Sequence, residues 1–122
     1  MKFLLENTPG LNRFTGYGPG YVTVNQLRHE TSLVVAADRL LVDWPLRWQD
    51  LAAANFEFLL SLHPEIVIMG SGPVQKFLHP SLFRALNAAR VGLEFMDTPA
   101  ACRTYNILVS EGRNVVAAVM MP

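Results

Sequence analysis

Ile66-Val67-Ile68-Met69 and Val115 through Met120 are apolar runs without a polar break, each too short for a helix, with Gly70 ending the first and Gly112 shortly before the second. Such runs read as strands buried on both faces of a sheet. Between them lies a third strand, Leu93-Glu94-Phe95-Met96. The connecting segments carry helical spacing instead. Ser81 to Arg90 places Leu82, Leu86 and Ala89 on one face, and Ala101, Cys102, Tyr105, Leu108 and Val109 form a second apolar stripe. The second half therefore predicts strand–helix–strand–helix–strand, with parallel strands and right-handed crossovers.

Local signals set the expected boundaries. Gly92 suits the position just past the first of these helices. Thr98-Pro99 predicts a capping hydroxyl followed by proline at the first helical position, and Gly112 ends that helix. Upstream, Asp50 or Asn55 can cap another helix; Asn55 is preferred, with the helix running through Leu62 to a stop at His63-Pro64.

The first half punctuates like β structure. Gly16-Tyr17-Gly18-Pro19-Gly20 reads as a turn-rich loop before a strand at Tyr21-Val22-Thr23-Val24. Thr31 to Ala36 and Leu40 to Val42 read as a hairpin that Trp44-Pro45 stops, because proline lacks the amide a ladder needs. No repeat or linker interrupts the chain. The expected architecture is one α/β domain over residues 1–122.

Charge and cysteine usage restrict the function classes. Ten basic and ten acidic residues balance, and the arginines are scattered, so no field draws in nucleic acid or an anionic membrane. Cys102 is the only cysteine, which excludes an internal disulfide and a cysteine zinc cage and favours a reducing compartment. The N-terminus has too short an apolar run for a secretory signal, and no stretch approaches the roughly 18 apolar residues of a membrane span. Cytoplasm is the expected location, without direct membrane insertion.

In sheets of this kind, ligands bind beyond the carboxyl ends of strands. Two loops sit there: Gly70-Ser71-Gly72-Pro73 and Asp97-Thr98. The glycines could cradle an anion, but the dinucleotide and Walker fingerprints are absent and Pro73 removes an amide, so a tight strand-to-loop turn is the preferred reading. Asp97, Thr98, Arg103 and Asn106 could bind a polar ligand together or simply hold a helix end. The Gly16–Gly20 segment precedes a strand rather than a helix and is read as a turn. Tyr105 and Cys102 fall on the apolar stripe and are expected in the core. His29, His63 and His79 lie in separate connections without metal-ligand spacing, so neither metal nor cofactor is expected. Ser71 lacks a nucleophile elbow. Trp44 and Trp48 would be interface anchors if exposed.

Met69-Gly70-Ser71-Gly72, the stretch from Met96-Asp97-Thr98 through Arg103-Thr104-Tyr105-Asn106 to Glu111-Gly112-Arg113, and Trp44-Pro45 together resemble a small family of uncharacterised proteins. That family includes the adipogenesis-associated domain protein and the mitochondrial complex I assembly factor subunit 3. Ser71 stands where threonine is common, keeping the hydroxyl. The resemblance implies a three-layer α/β fold with a central mixed, largely parallel sheet, and no established enzyme activity. It also implies action through protein contacts.

Two function classes follow. The first is a non-catalytic interaction or assembly module with protein partners, using a crevice lined by Gly70, Ser71, Gly72, Asp97, Thr98, Arg103 and Asn106. The second is a binder of small anions or nucleotide-like ligands, or an enzyme, in that same crevice, with Asp97 as acid or base. Self-association through Trp44 and Trp48 is a third possibility.

Overall fold

A computed structural model describes residues 11–42, 44 and 47–121. The N-terminal segment and Pro45 lie outside the described residues. Eight strands and three α-helices follow one another along the described chain. The first three strands, β1 (Phe14–Gly18), β2 (Tyr21–Val24) and β3 (Leu27–His29), form an antiparallel sheet in that order. Then come β4 (Leu33–Ala36), β5 (Arg39–Leu41), α1 (Ala53–Leu60), β6 (Ile66–Gly70), α2 (Arg84–Ala88), β7 (Gly92–Met96), α3 (Thr98–Ser110) and β8 (Val115–Val119).

The larger sheet has the order β5-β4-β8-β6-β7. β6 runs parallel to both β7 and β8, whereas β4 pairs antiparallel with both β5 and β8. The sheet is mixed, as expected, with the parallel half built from the strands that helices connect.

Alternation along the central strands makes the layers. Leu33, Val35, Ile68, Val115, Ala117 and Val119 face α3 and the small sheet, packing with Phe14, Val22, Ala101, Cys102 and Tyr105. Val34, Val67, Met69, Val116, Ala118 and Met120 face the other way, toward Trp48, Phe56, Leu59 and Leu86. Two apolar cores thus share one sheet, which is why its strands read as unbroken apolar runs.

Several expected boundaries move. Gly16-Tyr17-Gly18 belongs to β1 rather than to a loop, and only Pro19-Gly20 turns, with Gly20 at φ 75°. Proline followed by a left-handed glycine is type II turn chemistry. β3 is not among the expected elements, because its largely exposed Leu-Arg-His has no strand periodicity. Asn55 is not the cap of α1; it lies in the first turn, and its side chain accepts from the Ala52 amide at 2.8 Å. Ser81 to Arg90 is not one helix, since residues Pro80–Phe83 form a 3-10 turn before α2. Gly92 opens β7 instead of ending α2.

Candidate functional site

Because β6 and β7 are parallel and in register from Ile66↔Gly92 to Gly70↔Met96, the bends that follow them emerge on the same rim. Gly70 lets them pack. A Cβ there would stand 3.2 Å from the Ala101 Cβ and 3.3 Å from Thr98 Oγ1, so even a methyl requires α3 to give by a few tenths of an ångström.

Backbone latches join the two bends. The Thr98 amide donates to the Gly72 carbonyl at 2.7 Å, and the Gly72 amide donates to Thr98 Oγ1 at 2.8 Å. Ser71 is buried: its amide donates to the Met96 carbonyl, and its hydroxyl accepts from the Lys76 amide while lying 2.7 Å from the Val74 carbonyl. Asp97, rather than Thr98, caps α3, accepting the Ala100 amide on Oδ1 at 2.8 Å. Thr98 is thereby the first helical residue and Pro99 the second.

These bonds determine what the rim can do chemically. The Gly72, Thr98 and Ala100 amides are engaged within the protein, and Pro73 and Pro99 have none. The cradle that an anion would need is therefore already filled by protein acceptors. Asp97 gives an oxygen to the helix terminus, and the Ser71 hydroxyl is tied into its own turn.

Cys102 and Tyr105 lie in the core, as expected. Burial pushes the Cys102 thiol up to about 12, with the Arg103 charge acting in the opposite sense. Burial likewise raises the Tyr105 phenol above its ordinary value, against the lowering effect of Arg13. Its hydroxyl donates to the Asn12 carbonyl at 2.9 Å. Both groups stay protonated at neutral pH, so neither is an activated nucleophile.

A cleft of about 460 Å³ opens beside the latched bends. Gly72-Pro73, Thr98-Pro99 and Met121 make one wall. The other is the β1–β2 hairpin, Tyr17 through Tyr21. The Tyr21 ring lies over Gly18, where an added Cβ would come within 2.4 Å of it, and the Arg28 guanidinium stacks 3.9 Å from the ring centroid. Tyr17 is fixed at the rim, its hydroxyl accepting from Arg103 Nη1 at 2.9 Å.

Of the residues singled out by sequence, Gly72 and Thr98 line this cleft. Gly70, Ser71 and Asp97 build the bonded bends beneath it, and Arg103 reaches the rim through Tyr17. Asn106 serves another purpose: its amide accepts from the Phe14 amide at 2.9 Å and donates to the Phe14 carbonyl at 2.7 Å, holding β1. Trp48 is buried against Phe95, with ring centroids 6.2 Å apart, and Trp44 is half-buried beside Phe58. Trp48 is thus a core residue rather than an exposed anchor. The hairpin wall went unrecognised in the sequence. The only signal for it was the glycine-rich composition of residues 16–20, and composition does not say what a turn packs against. Among the described residues no cluster of His, Cys, Asp or Glu could hold a metal ion, and no helix is long and apolar enough to cross a membrane.

Comparison with known proteins places these features in a wider set. A family described as "Protein of unknown function (DUF498/DUF598)" matches residues 14–120. The mouse protein named NADH dehydrogenase [ubiquinone] 1 alpha subcomplex assembly factor 3 is 35% identical over 91 residues, 72% of this chain and 49% of its own length. The chain spans about half the length of the assembly factors it matches. A Francisella tularensis relative named 13 kDa major membrane protein is 28% identical, over 88% of this chain and 89% of its own. The crystal structure of a Bordetella parapertussis protein superposes with a TM-score of 0.86 at 41% identity, covering 95% of this chain and all of the other.

Proposed function

The chain belongs to the DUF498/DUF598 family of proteins of unknown function, and from that premise we propose that it is an assembly-type factor acting through protein contacts rather than by catalysis. The observation that carries this reading is the state of the rim. The Ser71 hydroxyl is tied into its own turn, one Asp97 oxygen caps α3 and the Gly72 and Thr98 amides are engaged within the protein, while the adjoining cleft presents tyrosine, proline and methionine to the outside. Aromatic walls with few polar groups suit the apolar side chain of a protein partner better than a reacting centre. The names of the related assembly factors support the same class of role.

A photo-crosslinking amino acid placed at Tyr17, with a control at the exposed Leu27, tests the proposal in native extract. One discrete adduct from the cleft position and none from the control is the expected outcome. Failure to form any protein adduct at Tyr17 would refute it. The reading places the protein in the cytoplasm as a factor that meets its partner there. The name of the Francisella relative makes membrane fractionation a useful companion measurement.

A further inference from the structure

A phenol has one proton to donate and lone pairs with which to accept. Tyr17 Oη accepts from the Arg103 guanidinium, which leaves its own proton free. Thr98 Oγ1 accepts from the Gly72 amide in the same sense. Both residues line the cleft, and among the described residues neither hydroxyl is paired as a donor. A hydroxyl that accepts from a cation is the stronger donor for it.

The surrounding charge has the same sign preference. Arg28, behind the Tyr21 ring, is paired with Glu30 at 2.8 Å, whereas among the described residues no carboxylate lies within ion-pair distance of Arg103. The cleft therefore combines an apolar body with one cation-backed donor at its rim. Its volume of about 460 Å³ lies within the roughly 300–1,000 Å³ typical of small-molecule sites.

We infer that the cleft is a binding site for a small apolar carboxylate, whose ring or chain lies against Tyr21, Pro73 and Met121 and whose carboxylate accepts from the Tyr17 hydroxyl with Arg103 behind it. This goes beyond the partner-contact reading and does not depend on it. The same chemistry is offered by a free acid and by the terminus of an apolar peptide.

Titration of the isotope-labelled full chain with hydrocinnamate, its uncharged amide hydrocinnamamide, and N-acetyl-leucyl-phenylalanine tests the site by amide chemical shifts. Hydrocinnamate is expected to perturb the amides of Tyr17, Gly18, Gly20, Tyr21, Gly72 and Thr98 and to bind about tenfold more tightly than hydrocinnamamide, as a charge-assisted bond implies. That ratio is expected to fall to about one in Tyr17→Phe, which keeps the ring, and in Arg103→Gln, with folding of each checked by its spectrum. Tighter binding of the acetylated dipeptide assigns the site to chain termini, and weaker binding assigns it to free acids. Equal affinity for acid and amide, perturbation confined to other residues, or an acid preference that survives Tyr17→Phe would overturn the inference. A crosslinked partner with no acid preference would overturn the inference alone, leaving the assembly reading intact.

Discussion

Arg90 and Gly112 occupy the same position in two copies of one motif. After α2, the Arg90 amide donates to the Asn87 carbonyl and the Val91 amide to the Leu86 carbonyl. After α3, the Gly112 amide donates to the Val109 carbonyl and the Arg113 amide to the Leu108 carbonyl. Both are Schellman closures, which need a left-handed residue just past the helix. Gly112 takes φ 80° without strain, whereas Arg90 takes φ 60° against its own Cβ. Replacing Arg90 by Gly is expected to stabilise the protein by about 0.5–1 kcal/mol, the steric relief slightly exceeding the added freedom of the unfolded chain. Gly112→Ala should cost about 1 kcal/mol. Paired urea titrations would show the opposite signs, and a destabilised Arg90→Gly would contradict the account. The closing glycine of α3 was legible in the sequence. That of α2 was not, because an arginine performs the role and Gly92, two residues on, carries the familiar signature.

At the scale of elements, α3 organises more than its own layer. Arg103, Tyr105 and Asn106 each reach β1 or the residues just before it, bonding Tyr17, Asn12 and Phe14 respectively. The motif that carries the family resemblance therefore fastens the small sheet to the helix. The apolar stripe predicted that α3 would pack, and its polar residues invited a ligand reading. Their partners, however, lie about ninety residues away in sequence, where no local pattern can place them. The Asn106 amide completes the backbone of Phe14, where a register irregularity between Phe14 and Gly16 interrupts β1. Asn106→Leu removes both bonds and leaves the two Phe14 groups unpaired, at a cost of about 1–3 kcal/mol. Hydrogen exchange should report the change first in β1 and β2. Unchanged protection of those strands would mean that the small sheet is held by apolar packing alone.

Across the whole molecule, the two cores lie on opposite faces of β4, β6 and β8, so a defect in one is transmitted through strands the other also needs. The central strands and their order along the chain were readable from apolar runs. The β4–β5 hairpin was readable too, whereas the antiparallel pairing of β4 with β8 and the separate small sheet were not, because pairing partners distant in sequence are chosen by tertiary packing. Gly70→Ala tests the coupling. Its added methyl crowds Ala101 and Thr98 on the α3 face, and overpacking of this kind costs about 1–3 kcal/mol. Trp44 and Trp48 both belong to the opposite core, so their fluorescence reports the face that the substitution does not touch. If the shared sheet makes folding a single event, tryptophan fluorescence and far-ultraviolet circular dichroism will shift together to the same lower midpoint. Fluorescence that keeps its original midpoint while the helical signal moves would show that the α3 layer, with the cleft it frames, unfolds on its own.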